Sequence, residues 1–354
     1  MWNRIGGQCS HIFTPIAFLD RRAHINSLQA IASVEETRAE FSPGDPEFSP
    51  SDLHTHVQAP TQLRPATRPS ARVLLRACRP QQWSKNLLVL AAPCAAGVID
   101  QPGVAAQVAG AFLVLCLLSS ATYLLNDVRD REQDRLHPRK RSRPVAAGEL
   151  SPGAALRVAA VLAFVGIASA TAITPGLGAV ACGYLALTMS YSLWLRRVVV
   201  LDILAIAAGF VLRAIAGGVA TDIYLSRWFV IVTASCAIYL VVGKRYAELR
   251  EHAGSDPVRA TLRRYSLGHL RLTLLVAAIV AVGAYTGWAF TRPSHVVWYG
   301  LSIAPLVLWL GRYASLIGAG AGQAPEEVIL RDRTLLALSV AWAFLFLGGV
   351  YVGR

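Results

Sequence analysis

Three aspartates at helical spacing are the residues in this sequence that most clearly predict chemistry. Asp127, Asp130 and Asp134 follow the apolar run 111–125 at positions i, i+3 and i+7. If the helix continues out of that run, the three carboxylates share one face and repel one another. A hard divalent cation relieves that repulsion, and Mg²⁺ in proteins usually accompanies a substrate that carries phosphates. The spacing therefore predicts a metal–diphosphate site.

A dense basic run, 139–143, follows the aspartates at once. One interpretation is that it binds phosphate, and the other is a solvated charge run at the membrane surface that only sets topology. For the basic residues both interpretations stay open. The topology interpretation is weaker for the aspartates, because topology depends on Lys and Arg while Asp and Glu contribute little. The acidic stripe, defined as Asp127, Asp130 and Asp134, is therefore the candidate active site.

The composition places these residues in a membrane protein. Of 354 residues, 54% are hydrophobic and 16% are charged, and the mean hydropathy is +0.45. Soluble domains carry about 25% charged residues. The net charge of +13 does not indicate a nucleic-acid-binding protein, because the basic residues lie between apolar segments and not in a soluble module. The six cysteines and eight histidines lack the spacing of a disulfide framework or a zinc site.

Two parts of the chain differ in composition. Residues 1–70 mix repeated prolines with Ser, Asp and Thr, which predicts a disordered N-terminal extension without chemistry. Residues 71–354 are predicted to form the transmembrane catalytic domain, in which each apolar segment is a helix because backbone groups in lipid must be hydrogen-bonded internally. The nine expected spans are 87–99, 105–125, 154–173, 177–195, 199–217, 228–243, 272–290, 296–311 and 334–352. The first is short and must borrow turns from the Trp83 end.

Basic and non-basic loops alternate along the chain. Loops 126–151 and 244–271 each hold seven Lys or Arg residues, whereas loops 100–104 and 174–176 hold none. The positive-inside bias then predicts a cytoplasmic N-terminus, nine helices and an outer C-terminus in the inner (plasma) membrane. On this topology the acidic stripe faces the cytoplasm.

Other polar residues are predicted to lie on the same side of the membrane as the acidic stripe. Tyr191, Arg196 and Asp202 bridge the fourth and fifth expected helices, and Arg213 lies three turns beyond Asp202 on the same helical face. An ionisable residue at membrane depth is by default a pairing or pathway residue. The hypothesis is that Asp202 and Arg213 point into a polar cavity. The alternative is a structural ion pair with neighbouring helices.

The sixth expected helix ends in a basic segment that contains Lys244, Arg245 and Tyr246, with Glu248 after them. Lys and Arg in this position can hold phosphate oxygens without a metal. A solvated amphipathic loop is the alternative. Taken with the acidic stripe, the segment predicts a membrane site that binds a metal–diphosphate on one wall and a second phosphate on another.

The motif N-D-x-x-D-x-x-x-D at 126–134 resembles that of the UbiA-type intramembrane prenyltransferase superfamily. Over roughly residues 72–354, the chain is most similar to the decaprenyl-phosphate phosphoribosyltransferase branch, at 79–86, 126–148, 216–221, 243–249 and 330–333. The resemblance implies an all-α, nine-helix bundle around a cytoplasm-facing cavity. It also implies an enzyme that transfers 5-phosphoribose from phosphoribosyl pyrophosphate to decaprenyl phosphate and releases pyrophosphate, for synthesis of a cell-wall arabinan precursor.

The resemblance further implies roles for individual residues. Mg²⁺ and the sugar pyrophosphate would be bound by the acidic stripe with the help of Asn126. The sugar donor's phosphates would be held by Lys85, Lys140, Arg141 and Arg143. The lipid phosphate or the sugar 5-phosphate would be held by Arg196, Lys244, Arg245 and Tyr246, with Tyr191 and Asp202 as further substrate-binding residues. The expected partners are the two substrates and membrane lipid, with no nucleic acid; a homo-oligomer is left open.

One departure from the wider superfamily favours this branch. Aromatic prenyltransferases generally carry a second acidic motif of D-x-x-x-D type where this chain has 244–248, which is mostly basic. Two alternatives stay open. One is another enzyme of the superfamily that joins a prenyl diphosphate to an aromatic acceptor, and the other is a transporter for a phosphorylated lipid. A transporter should show inverted repeats with broken helices in matching positions, and the sequence shows no such repetition.

Overall fold

The computed structural model describes residues 70–251, 264–291, 295–320 and 325–352. The predicted N-terminal extension, 1–70, lies outside the described residues except for Ser70. All regular elements in the described ranges are helices, which confirms the predicted all-α polytopic fold. The α-helices are α1 (Ala71–Cys78), α2 (Ala91–Ala96), α3 (Pro102–Arg129), α4 (Arg131–Leu136), α5 (Pro152–Ile173), α6 (Pro175–Leu193), α7 (Val199–Ala220), α8 (Arg227–Glu251), α9 (Leu267–Phe290), α10 (Val296–Gly318), α11 (Pro325–Arg331) and α12 (Arg333–Tyr351), and 3-10 helices span Pro80–Leu90 and Leu195–Arg197.

Eight of the described helices, α3, α5 to α10 and α12, are long and apolar enough to cross a membrane. The predicted count of nine helices is not confirmed, because the first expected span, 87–99, is not one continuous α-helix. A 3-10 helix occupies Pro80–Leu90 instead, and α2 ends after six residues at Gly97, whose φ is 70°. Pro93 lies inside α2 and lacks the backbone N–H that would extend the hydrogen-bond ladder.

The broken segment, defined as Pro80–Ala96, still has the reach of a membrane span. It contains eleven residues in the 3-10 helix and six in α2. At about 2.0 Å per 3-10 residue and 1.5 Å per α-helical residue, these extend over roughly 31 Å, close to the ~30 Å of a bilayer's hydrocarbon core. The 3-10 helix begins at Pro80, which agrees with the expectation that the short apolar run is extended by residues from the Trp83 end.

Three of the membrane helices, α5, α6 and α12, begin where the sequence carries a capping residue. Ser151 precedes Pro152 and Thr174 precedes Pro175, and each hydroxyl accepts a hydrogen bond from a backbone N–H in the first turn. The Asp332 carboxylate caps α12 in the same way. A proline at the first helical position loses no hydrogen bond, because that N–H has no partner inside a helix. The Ser-Pro and Thr-Pro pairs therefore define the starts of α5 and α6.

Two large clusters of buried side chains join the helices. One connects the broken segment with α3, α6 and α7 and contains Leu115, Leu118 and Tyr184. The other connects α8, α9, α10 and α12 and contains Tyr313 and Leu335. Many of the other buried residues are alanines, which let helices approach one another closely in a bilayer. The acidic stripe lies at the end of α3, next to a smaller cluster that contains Leu124, Val145 and Leu150.

Gly217 of α7 lies directly against the broken segment. A Cβ atom at this position would lie 1.8 Å from the carbonyl oxygen of Val89. Only glycine fits such a backbone contact, so Gly217 fixes the distance between α7 and the segment that carries Lys85 and Asn86.

Candidate active site

The acidic stripe lies at the junction of α3 and α4. Asp127 is in the last turn of α3, Asp130 separates the two helices, and Asp134 is in α4. The backbone N–H groups of Asp130 and Asp134 each donate to the carbonyl four residues earlier at 2.8 Å, so the helical path continues through the junction. Arg143 Nη1 contacts both Asp127 Oδ1, at 3.3 Å, and Asp134 Oδ2, at 2.6 Å. The seven-residue spacing therefore places these two carboxylates on one face.

Arg79 belongs to the site although it was not among the site residues predicted from the sequence. Its guanidinium is ion-paired with Asp127 and lies 5.1 Å from the centre of the Tyr123 ring. The residue has a φ of 54° at the turn between α1 and the broken segment. Basic residues at helix ends are common near lipid headgroups, so an arginine before Pro80 gives no signal that separates a site residue from a membrane anchor.

Asp130 is bound by Arg196, which is a predicted site residue from a distant part of the chain. Two hydrogen bonds of 2.9 Å join the guanidinium to the two carboxylate oxygens. Partial burial acts to raise the pKa of Asp130, but the hydrogen bonds and charge of Arg196 outweigh it, so that pKa lies below its usual value. Hydrogen bonding to Asp130 in turn raises the pKa of Arg196. The pair therefore stays ionised at neutral pH.

The acidic stripe supplies the oxygen ligands that a hard divalent cation prefers. Asp127 Oδ2 is buried and has no hydrogen-bond partner within the described ranges, which is unfavourable for a carboxylate oxygen. In the same ranges, no group of three or more His, Cys, Asp or Glu side chains converges as a metal site. The carboxylates are instead paired with Arg79, Arg143 and Arg196. A metal ion bound here would therefore replace at least one guanidinium.

The other predicted phosphate-binding residues lie in different settings. On the loop after α4, Lys140 is partly buried and Arg141 is exposed. Lys85 lines a large cavity, whereas Asn126 borders a separate, small cleft between α3, α5 and α6. Tyr246 packs against the core cluster of α8, α9, α10 and α12. The structure therefore does not gather all of these residues around the stripe.

A second charged network, which we call the Asp202 network, lies at the start of α7. Arg245 donates to both carboxylate oxygens of Asp202, at 2.7 and 3.1 Å, and to Glu248 at 2.7 Å. The Tyr191 hydroxyl donates to Asp202 at 3.0 Å. Lys244, which precedes Arg245 in α8, is partly buried. Arg245 is held by two carboxylates and is itself buried, so the contacts match the structural ion pair and not a phosphate-binding arginine.

Arg213 is buried near the middle of α7 and bonds to uncharged groups. It donates to Asn86 Oδ1 at 2.8 Å, to the Tyr184 hydroxyl at 2.6 Å and to the Gly209 carbonyl at 2.8 Å. Asp202 is bonded elsewhere, so the hypothesis that the two residues share a polar cavity finds no support in these contacts. Arg213 instead ties the broken segment to α6 and α7.

A cavity of about 1080 Å³ lies between the broken segment, α8, α9, α10 and α12. Its lining is mostly apolar and includes the aromatic side chains of Trp228, Trp288, Trp309, Trp342 and Phe346. Ser84 and Lys85 contribute polar groups from the broken segment. Such a lining suits a long apolar chain whose anionic head lies near Lys85.

Residues 87–331 match the model of the UbiA prenyltransferase family. A decaprenyl-phosphate phosphoribosyltransferase from Corynebacterium glutamicum is 39% identical over 330 residues, which cover 90% of this chain and 99% of that protein. A protein of the same description from Mycobacterium tuberculosis is 42% identical over 286 residues, which cover 78% of this chain and 94% of that relative.

Solved structures of low sequence identity share the fold. A UbiA homologue from Archaeoglobus fulgidus bound to GPP and Mg²⁺ matches with a TM-score of 0.60 at 17% identity, over 79% of this chain and 98% of that chain. A digeranylgeranylglyceryl phosphate synthase structure matches with a TM-score of 0.58 at 14% identity, over 79% of this chain and 98% of that chain. At this level of identity the likeness extends to the helical bundle alone.

Proposed function

Because the chain belongs to the UbiA prenyltransferase family, we propose that it transfers 5-phosphoribose from phosphoribosyl pyrophosphate to a polyprenyl phosphate such as decaprenyl phosphate. The observation that carries this proposal is the 39% identity to a decaprenyl-phosphate phosphoribosyltransferase across 99% of that protein. The reaction would take place at the cytoplasmic side of the inner (plasma) membrane. Its lipid product would serve as a precursor of cell-wall arabinan.

The reaction exchanges one C–O bond for another at the anomeric carbon of ribose. A lipid phosphate oxygen forms the new bond while the bond to pyrophosphate breaks, and pyrophosphate leaves with the electron pair. The lipid phosphate is already anionic at neutral pH, so the attack does not require a strong general base. The protein must therefore hold two anionic substrates in line and offset their charge.

The acidic stripe supports binding of the sugar donor. The candidate ligands for Mg²⁺ are Asn126, Asp127, Asp130 and Asp134, and the unpartnered Asp127 oxygen is the observation that favours this assignment. When bound, Mg²⁺ would offset the charge of pyrophosphate and improve it as a leaving group. The guanidinium groups that now hold the carboxylates would then bind phosphate oxygens, which suit their fork geometry. They belong to Arg79, Arg143 and Arg196.

The large apolar cavity supports binding of the lipid acceptor. Its volume and aromatic lining suit a polyprenyl chain, and Lys85 lines it from the broken segment. We therefore assign Lys85 to the lipid phosphate, whereas the family resemblance implied that it holds the phosphates of the sugar donor. The broken segment would then connect the two substrates, because Arg79 at its start contacts the acidic stripe.

Segment 244–248 favours a sugar donor over a prenyl diphosphate donor. Its one carboxylate, on Glu248, is bound to Arg245, which also holds Asp202. This part of the described structure therefore lacks a second group of available carboxylates for a metal–prenyl diphosphate. A transporter is also disfavoured, because eight of the described membrane segments are continuous helices and one is broken, whereas transporters of that kind break helices in matching pairs.

The test uses purified protein with decaprenyl phosphate, Mg²⁺ and phosphoribosyl pyrophosphate labelled in the ribose ring. The label should enter the lipid fraction, with one pyrophosphate released for each labelled lipid, and EDTA should stop both. A parallel sample with a prenyl diphosphate and an aromatic acid should yield no prenylated product. A folded preparation that leaves the label in the aqueous phase would overturn the proposal, and a prenylated aromatic product would support the alternative enzyme.

A further inference from the structure

A small cleft of about 230 Å³ lies between α3, α5 and α6, beside the acidic stripe. Its apolar walls come from Leu125, Val128, Leu156, Met189 and Leu193. The proposed transfer reaction uses none of these five side chains. The cleft is also separate from the large cavity, because the lining residues of the two differ.

Arg129 lines this cleft and has an unsatisfied nitrogen. Its Nη2 donates to the Leu193 carbonyl oxygen at 3.2 Å. Its Nη1 is buried and, within the described ranges, has no hydrogen-bond partner. A buried donor without an acceptor destabilises the structure. The position of Nη1 therefore favours an acceptor supplied by another molecule.

The charge around Arg129 is positive. The charges of Arg196 and Arg197 act on it, and Asp130 is the carboxylate that opposes them. Asp130 is already bound by Arg196 through two hydrogen bonds of 2.9 Å. The positive charge near Arg129 thus exceeds the negative charge, so an acceptor with a negative charge is favoured over a neutral one.

The cleft opens toward the lipid-facing surface of the bundle. Leu156, Met189 and Leu193 are 44%, 37% and 59% exposed. Only 17% of the most apolar stretch of α5 is buried inside the protein. Trp194, which follows α6, is also exposed, as aromatic side chains at the membrane interface commonly are. An acyl chain can therefore lie along these walls while its headgroup lies at Arg129.

We propose that this cleft binds an anionic phospholipid of the surrounding membrane. A phosphate oxygen accepts a hydrogen bond from Arg129 Nη1, and an acyl chain lies against the apolar walls. The net positive charge selects an anionic headgroup over a zwitterionic one. The cleft adjoins the acidic stripe through Asn126, whereas its five apolar wall residues belong to neither of the sites proposed for the two substrates.

Native mass spectrometry of the detergent-solubilised full chain tests the proposal, with dioleoylphosphatidylglycerol and dioleoylphosphatidylcholine titrated separately. Arg129→Gln should weaken phosphatidylglycerol binding about tenfold, the loss expected for a hydrogen bond to a charged group. The wild type should bind phosphatidylcholine more weakly than phosphatidylglycerol, and Arg129→Gln should change the affinity for phosphatidylcholine little. The control is Arg331→Gln, which removes an arginine that is 83% exposed and should bind like the wild type.

Met189→Trp provides a second variant that keeps Arg129 and narrows the apolar part of the cleft. It should also weaken phosphatidylglycerol binding, so the proposal stays testable if Arg129→Gln does not fold. Equal phosphatidylglycerol binding by the wild type and the variants would overturn the proposal. If Arg129→Gln weakened only the binding of decaprenyl phosphate, the cleft would belong to the path of the lipid substrate, and the proposal would be overturned. If Arg129→Gln converted a dimer to a monomer, the cleft would be a contact with a second copy of the chain, and the proposal would again be overturned.

Discussion

The acidic stripe and the Asp202 network are both built from aspartates and arginines, but their arginines differ in contact with water. In the stripe, the Arg143 and Arg196 side chains are 27% and 32% exposed. In the Asp202 network, Arg245 and Asp202 are 3% and 2% exposed. A partly exposed arginine can exchange partners, whereas breaking a pair in which both side chains are buried leaves an uncompensated charge. The stripe is therefore suited to exchanging ligands, and the Asp202 network is suited to holding helices together.

The two regions are also connected through the chain. Arg196 lies in the 3-10 turn Leu195–Arg197, which leads directly into α7, and Asp202 lies in the first turns of that helix. The Asp202 network ties this end of α7 to α8 through Arg245. A rigid buried pair thus positions the turn from which an exchangeable arginine reaches Asp130. Four substitutions distinguish the two roles.

Asp127→Asn should cause the largest loss of activity. The change keeps the shape of the side chain but removes the charge at the carboxylate with the unpartnered oxygen. We expect kcat/KM to fall about 10²–10³-fold, the range for removing one preorganised electrostatic contact. Initial rates of lipid labelling measure the effect. Asp222→Asn, an exposed position just after α7, is the control and should keep the wild-type rate. Near-normal activity of Asp127→Asn would remove the stripe from the active site.

Asp202→Asn should show the opposite pattern, a large loss of stability and a smaller loss of activity per folded molecule. It leaves the buried Arg245 with the carboxylate of Glu248 as its remaining partner within the described ranges. The free energy of unfolding should fall by about 3 kcal/mol, as measured by denaturant unfolding in detergent. Adding Arg245→Gln should recover part of the loss, because the buried charge is then gone. If Asp202→Asn alone were as stable as the wild type, the result would contradict the structural role of Asp202.

Arg196→Lys should affect substrate binding more than stability. Lysine keeps the charge but cannot form the two parallel hydrogen bonds of a guanidinium. We expect the KM for phosphoribosyl pyrophosphate to rise about tenfold, with the free energy of unfolding changed by less than about 1 kcal/mol. Steady-state kinetics at saturating lipid and parallel unfolding curves measure the two effects. A stability loss as large as that of Asp202→Asn would place Arg196 with the structural residues.

Arg76→Gln should have the smallest effect and sets the baseline for the series. Arg76 pairs with Glu149, and the two side chains are 49% and 39% exposed. Pairs in this setting typically contribute less than about 1 kcal/mol, and Arg76 is paired with Glu149 and not with a carboxylate of the acidic stripe. Activity and unfolding free energy should therefore match the wild type. A measurable loss would show that exposure does not separate the two kinds of ion pair in this protein.

Parts of the site that lie within one stretch of chain could be predicted from the sequence. Asp127 and Asp134 share a face because an α-helix repeats every 3.6 residues, and Arg143 follows them on the next loop. Arg79 reaches Asp127 from 48 residues away, and Arg196 reaches Asp130 from 66 residues away. No periodicity relates positions so far apart. The sequence pattern included Arg196 among many basic residues and omitted Arg79.

The sequence by itself determined the class of protein, the apolar segments, the acidic stripe and the family, because each depends on composition or on short-range spacing. The tertiary structure decided which charges meet. Arg213 bonds to Asn86 and Tyr184, whereas Asp202 bonds to Arg245, although Asp202 and Arg213 share one helix. An ion pair forms between side chains that helix packing brings within hydrogen-bonding distance. That packing depends on contacts such as Gly217 against Val89, which involve residues far apart in the chain.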